Sequence, residues 1–185
     1  IRKFDPDTKI TTNLMGFYKP LDYQKWAKYM DFISWDNYPA NEDPYSRMAM
    51  NHDLMRGIKG GQPFALMEQT PSVTNWLPYN ALKRPGVMRL WSYQAMAHGA
   101  DTVMFFQMRR SIGACEKFHG AVIDHVGTEN TRVFREIARM GKELKMLGDR
   151  TLGARCRAKV ALLVDWDNWW AVEYSAGPSC DMKYL

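Results

Sequence analysis

In this 185-residue chain, the place to look for chemistry is a glutamate that directly follows four apolar residues. Phe64-Ala65-Leu66-Met67 is bounded by Gly60-Gly61-Gln62-Pro63 on one side and by a polar loop on the other, and Glu68 comes next. A short apolar run between turn signals reads as a strand buried on both faces, as in a parallel sheet. The carboxyl ends of such strands are where α/β sheets and barrels mount their active sites. Other strand ends offer Asn13, then Asp36, Asn37 and Tyr38, then Trp76 in the loop after Glu68, then Gln107 and Arg109. A long loop beyond these adds Glu116 and His119. Carboxylates, amides, a flat aromatic face and an imidazole suit a neutral ligand rich in hydroxyls. A phosphate site would want a glycine-rich loop entering a helix, and neither GxGxxG nor GxxxxGK[ST] occurs.

Other chemistries fit the residues less well. Glu116-Lys117-Phe118-His119 has the Glu-x-x-His spacing of a di-metal helical bundle, but that motif needs a helix and a second copy. Gly113 and Gly120 place this one in a loop, so no metal is expected, and nothing in the chain calls for a cofactor. No Ser-His-Asp or Cys-His arrangement stands out. The net charge of +5 comes from cations mixed along the chain with 20 acids, which describes a solvated surface and not a nucleic-acid site. The densest basic cluster, Arg150 to Lys159, lies in a linker-like stretch. No apolar run is long enough to span a membrane. The 3 cysteines include no CxxC pair, which points to a reducing compartment and a cytoplasmic protein. The 7 Trp, 9 Tyr and 8 Phe would serve a sugar site, though most aromatics are core.

The elements that must position these groups alternate regularly. Strands are expected over Ile10 to Gly16, Asp31 to Trp35, Phe64 to Met67 and Val103 to Phe106. Asp22 caps a helix carrying Tyr23, Trp26, Ala27 and Met30 on one face. Ser46 opens a second helix with Met50, Leu54 and Ile58 stacked, and Gly60-Gly61 ends it. Pro85 suits the first turn of a third, with Val87, Leu90, Trp91, Gln94 and Ala95 along one side. His98 in its last turn, before Gly99, reads as structural. A fourth helix shows Val133, Ile137, Gly141 and Leu144 on one face, with Arg132, Arg135, Glu136, Arg139 and Glu143 outside it. Four strand–helix units in succession argue a parallel α/β architecture. An eight-fold barrel takes about 250 residues, so four units make half of one. A further run, Val160 to Val164, leads into Asp165-Trp166-Asp167 and reads as a first strand and turn of a second domain; Asp165 and Asp167 read as turn or cap residues.

Taken together, the motifs resemble glycoside hydrolase family 42, the β-galactosidases of that family. The resemblance rests on Thr11-Thr12-Asn13-Leu14-Met15-Gly16, Ser34-Trp35-Asp36-Asn37-Tyr38-Pro39, Met67-Glu68-Gln69-Thr70-Pro71 with Asn75-Trp76, and Arg84-Pro85-Gly86. Ala97-His98-Gly99-Ala100-Asp101, Phe105-Phe106-Gln107 and Glu116-Lys117-Phe118-His119-Gly120 extend it over essentially the whole chain. It implies the C-terminal half, about strands 5–8, of a (β/α)8 TIM barrel over residues 1–149. A linker at 150–158 and the start of a flavodoxin-like α/β trimerisation domain at 159–185 would follow.

By the same resemblance, Glu68 is the catalytic nucleophile of a retaining mechanism acting on terminal β-D-galactosyl residues. Trp76 walls the galactose pocket, Glu116 and His119 bind sugar hydroxyls, and Tyr38 stands beside the nucleophile. The family's acid/base, in an Asn-Glu pair, has no match here: Asn41-Glu42 follows the wrong strand and Glu129-Asn130 has the wrong order. That glutamate is expected upstream, and the intact protein is expected to be a homotrimer. The 185 residues alone should be inactive and should need the missing half of the barrel, because half a barrel leaves open sheet edges. Two alternatives are another retaining barrel glycosidase of different sugar specificity and a non-catalytic sugar-binding fragment.

Overall fold

Apolar strands bounded by glycine and proline, each followed by an amphipathic helix, build a four-stranded parallel sheet with the order β1-β2-β3-β4. The computed structural model describes residues 1–184. The strands are β1 (Asn13–Leu14), β2 (Ser34–Asn37), β3 (Phe64–Gln69) and β4 (Ala100–Phe105), and the helices between them are α1 (Tyr23–Ala27), α2 (Tyr45–Ile58) and α3 (Val87–Ala97). After β4 and a long loop come α4 (Arg132–Thr151) and α5 (Trp166–Tyr174). One apolar cluster joins Leu14, Ile33, Trp35, Phe64 and Leu66 from the strand segments to Tyr23, Met55 and Ala95 from the helices.

Asp22 caps α1 as its chemistry requires, its carboxylate accepting from the Lys25 N–H at 3.1 Å. The buried face of this segment is Tyr23, Ala27 and Met30, whereas Trp26 is exposed. The strand boundaries differ from those expected, and the differences matter for the site. β2 and β3 run on through polar residues, so Asp36, Asn37, Glu68 and Gln69 lie inside the sheet. The extension is possible because the buried amides satisfy each other: Asn37 donates to Gln69 at 3.0 Å, and Gln69 donates to Ser92 at 3.3 Å. β1 is only two residues long, and β4 begins earlier than its most apolar stretch.

α2 begins after Pro44 instead of at Ser46, and it is rolled relative to the expected stripe. Met48, His52 and Met55 are the buried positions, with Leu54 and Ile58 at the border of the core. The roll lets the flat ring of His52 sit 5.0 Å from Trp35 and 5.7 Å from Phe64, centroid to centroid. α3 starts after Gly86, whose φ of 82° only glycine adopts freely, so Pro85 falls just outside it. Thr131 caps α4, accepting from the Phe134 N–H at 3.2 Å. Met140 is the buried residue of α4, Val133, Ile137 and Leu144 are half-buried, and Gly141 is exposed.

The segment after α4 departs from expectation. Val160 to Val164 forms no strand: it is exposed up to Leu163, at 88%, and only Val164 is half-buried against the core. A strand requires a paired neighbour, and none lies beside this run among the described residues. Asp165 instead caps α5, accepting from the Asn168 N–H at 2.6 Å, and Asp167 occupies the first turn. Trp166 and Trp169 of α5 are buried in the same apolar cluster as Tyr23. Trp166 donates to the Tyr18 carbonyl at 3.3 Å and Trp170 to the Lys19 carbonyl at 2.9 Å.

Candidate active site

The parallel register between β2 and β3 shifts after Trp35, so that Trp35 pairs with Leu66 while Asp36 pairs with Glu68. This irregularity sets two carboxyl side chains next to each other at the carboxyl end of the sheet. The Glu68 carboxylate accepts from the Tyr38 hydroxyl at 2.6 Å and from the Asn13 side-chain amide at 3.0 Å. Three consecutive strands therefore meet on one half-buried carboxylate. Two neutral donors, one on each oxygen, fix its orientation without an ion pair.

Asp36 is in a different state. Burial, reinforced by the negative charge of Glu68, pushes its carboxyl up to about 7, with the Asn13 amide offsetting a part. Its Oδ1 is buried and has no hydrogen-bond donor. The Tyr38 hydroxyl is also raised, first by burial, then by its bond to Glu68 and by the charges of Glu68, Asp36 and Glu116. It therefore stays a donor at any physiological pH.

An aromatic wall stands over these groups. Tyr38 lies edge-on to Trp76 at 5.4 Å and edge-on to His119 at 5.4 Å, while Phe106 lies edge-on to His119 at 5.1 Å. Trp76 is 56% exposed and presents a free face, whereas His119 is 1% exposed. His119 Nδ1 lies 3.0 Å from the Gly120 carbonyl, which can only accept, so Nδ1 carries the proton. In the neutral ring this leaves Nε2 as an acceptor. Glu116 is half-buried, close enough to Tyr38 for its charge to act on the hydroxyl.

The loops that deliver Trp76 and His119 are fastened together. Gly120 N–H donates to the Val73 carbonyl at 2.7 Å, and a Cβ on Gly120 would stand 2.7 Å from that oxygen. Asn75 donates to the Cys115 carbonyl at 2.5 Å. Arg110 donates to the Phe118 carbonyl at 2.7 Å and to Asp124 at 2.9 Å, which ties the Glu116–His119 segment back to its own root. The long loop is thus an ordered scaffold. A fixed carboxylate, a free aromatic face, an imidazole acceptor and a second acid suit attack on, and binding of, a polyhydroxylated ring.

A family model described as beta-galactosidase, glycoside hydrolase family 42, matches residues 1–147. The chain belongs to glycoside hydrolase family 42. It is 65% identical over 185 residues to beta-galactosidase BgaP of Planococcus sp. (strain L4), covering 100% of this chain and 27% of that protein. Beta-galactosidase BgaA of Planococcus sp. (strain 'SOS Orange') is 64% identical over 186 residues, with 28% of its length covered. The crystal structure of beta-galactosidase from Bacillus circulans sp. alkalophilus superposes with a TM-score of 0.95 at 68% identity, over 99% of this chain and 27% of that one. The chain thus spans little more than a quarter of the relatives it matches. An α/β fold with a parallel sheet, as in the barrel enzymes of family 42, accords with the sequence reading.

Of the residues singled out from sequence in this family 42 chain, Glu68, Tyr38, Trp76 and His119 come together, with Glu116 at the border. No hydrogen bond links Gln107 or Arg109 to them among the described residues: Gln107 accepts from Ser111 at 3.2 Å, and Arg109 is exposed, its backbone bridged to Ile123. Asn13 and Asp36, strand-end residues to which the sequence assigns no role, both neighbour Glu68. Their strand-end position was the available signal. The irregular register that brings Asp36 opposite Glu68 leaves no trace in a single sequence. Among the described residues, no group of three His, Cys, Asp or Glu side chains is arranged to hold a metal ion. No helix among them is long and apolar enough to cross a membrane, and all three cysteines are free thiols.

Proposed function

We propose that these residues form part of a retaining β-galactosidase that removes terminal non-reducing β-D-galactosyl groups. Glu68 attacks the anomeric carbon and forms a covalent galactosyl-enzyme. A glutamate outside these residues protonates the leaving oxygen and then activates water, from roughly 5 to 5.5 Å away, the spacing retention requires. Tyr38 and Asn13 hold the attacking carboxylate. Trp76 packs on the apolar face of the sugar, and Glu116 and His119 read its hydroxyls, the acid accepting charge-assisted bonds and the imidazole a neutral one.

The chain supplies about strands 5–8 of a (β/α)8 barrel over residues 1–149, with a linker at 150–158 and the start of a trimerisation domain at 159–185. Its partners are the remaining strands of that barrel and two further copies of the intact enzyme, which works in the cytoplasm without a cofactor. The observation that carries this reading is the Glu68 carboxylate, fixed at the end of a buried parallel strand by two neutral donors beneath an aromatic wall. The names of the relatives support the choice of sugar.

The test uses the full-length polypeptide that carries these residues. Incubation with a 2-deoxy-2-fluoro-β-galactoside bearing a good leaving group, then digestion and mass spectrometry, should find the sugar on Glu68. Nitrophenyl β-galactoside should be turned over well ahead of the glucoside and the xyloside. A label on another residue, or equal turnover of the three sugars, would refute the assignment.

A further inference from the structure

Two carboxyls stand side by side in β2 and β3, and only one of them has a donor on each oxygen. Glu68 accepts one hydrogen bond on each oxygen. Asp36, directly opposite in the register, buries Oδ1 with no donor at all. The groups facing Asp36 do not neutralise it. From β3 comes Glu68, from the end of β2 comes Tyr38, and from α1 comes Tyr23, whose own hydroxyl is pushed up to about 12 chiefly by burial. Arg47 lines the cavity beyond Asp36, but it is ion-paired with Asp43 at 2.9 Å and mostly exposed. Like charges this close in a half-buried site cannot both ionise cheaply, so Asp36 keeps its proton to a higher pH than a free carboxyl does.

We infer that Asp36 is the proton holder of the site, remaining a neutral acid while Glu68 carries the charge, and that losing this proton changes how readily Glu68 attacks. This inference rests on Glu68 being the nucleophile. The sign follows from charge balance. Attack converts the Glu68 carboxylate into a neutral ester, with the electron pair passing to the anomeric carbon and the leaving group departing with the glycosidic bonding pair. An ionised Asp36 repels the charge that attack consumes and attracts the positive charge that grows on the sugar ring. Ionisation of Asp36 therefore speeds the first step. The direction in which burial and Glu68 move Asp36, up to about 7, puts this change near neutral pH. Asp36 acts through Glu68 and need not touch the sugar.

The experiment measures kcat/KM against pH for the full-length polypeptide and its Asp36→Asn variant. The substrate is 2,4-dinitrophenyl β-galactoside, whose leaving group needs no protonation, so the acid/base glutamate drops out of the profile. The unaltered protein should gain several-fold through neutral pH, while the variant, an isostere of the neutral acid, should stay flat at the lower plateau. A bend that persists in the variant would overturn the inference. So would a variant more than about tenfold slower at about pH 6, or one slow only with poor leaving groups, which would make Asp36 the general acid.

Melting supplies a second readout. Between about pH 4 and about 7 the unfolded chain loses the Asp36 proton and the native protein keeps it, so this group makes stability fall as pH rises. Asp36→Asn should remove that slope and melt no lower than the unaltered protein at about pH 8; a variant that melts lower or fails to fold would overturn the inference. A fluorosugar label on Glu68 with an unchanged Asp36→Asn profile sinks this inference alone, whereas a label elsewhere sinks both readings.

Discussion

At the carboxyl end of the sheet, Asp36 and Glu68 lie adjacent with only the neutral donors Asn13 and Tyr38, and neither is ion-paired among the described residues. At the amino end, Asp53 accepts from His98 at 2.8 Å and pairs with Arg56 at 2.5 Å, while Arg56 also donates to the His98 carbonyl. Burial alone would raise Asp53, but His98 and Arg56 outweigh it and hold that carboxyl below its usual range. One end leaves charge uncompensated and the other neutralises it. The proposed function assigns reactivity to the first arrangement and stability to the second, the division expected between the two ends of a parallel α/β sheet.

The largest effect is expected at Glu68. In the full-length protein, Glu68→Gln should lower turnover of a nitrophenyl β-galactoside by about 10⁴-fold or more while leaving the melting temperature nearly unchanged. Near-normal activity would move the reactive group elsewhere.

The amino end should respond to acid instead of to substrate. Burial, with some help from His98, pushes His52 down to about 3 from 6.5, and neither ring nitrogen has a partner. The native protein therefore binds fewer protons than the unfolded chain between these values, so stability is lost as pH falls through that window. The contribution is on the order of a few kcal/mol. His52→Phe should narrow the gap in melting temperature between about pH 7 and about pH 4; an unchanged gap would mean that His52 does not drive the acid loss.

Two smaller effects sharpen the carboxyl end. Tyr38→Phe removes the 2.6 Å bond to Glu68. It should reduce kcat by about 10- to 100-fold, or about 1–3 kcal/mol, with little change in KM. Gly120→Ala would force a Cβ to within 2.7 Å of the Val73 carbonyl, so the loops carrying Trp76 and His119 must part. Here KM should rise by about tenfold and kcat should change less, since the proposed sugar-binding groups move and Glu68 does not. A KM within twofold of the unaltered protein's, roughly experimental error, would show that the loops yield without loss.

Much of this was legible in the sequence because local chemistry carried it. Asp22 and Asp165 have side chains suited to capping, and both cap helices. The run Phe64 to Met67 is apolar and bounded by turn residues, and it finds paired neighbours on both sides. What escaped depended on partners distant in the chain. β2 and β3 continue through Asp36, Asn37, Glu68 and Gln69 because these side chains complete one another across strands, and a single strand read alone shows only where the apolar residues stop. The buried face of α2 differs from its apolar stripe because His52, polar by composition, packs its ring against Trp35 and Phe64. Val160 to Val164 has the composition of a strand and lacks a neighbour, so composition misled. Among the site residues, Glu68 was marked by its position after an apolar run, whereas the charge state of Asp36 arises from an irregular register that only the folded chain displays.

The indoles of Trp166 and Trp170 hang on the carbonyls of Tyr18 and Lys19, close to 150 residues earlier in the chain. The stretch from Leu152 to Leu163 that leads to them is mostly exposed and unpaired. A protease should therefore cut there first, and the severed α5 should stay docked on α1 by its tryptophans, joined to the body by packing instead of by covalent continuity.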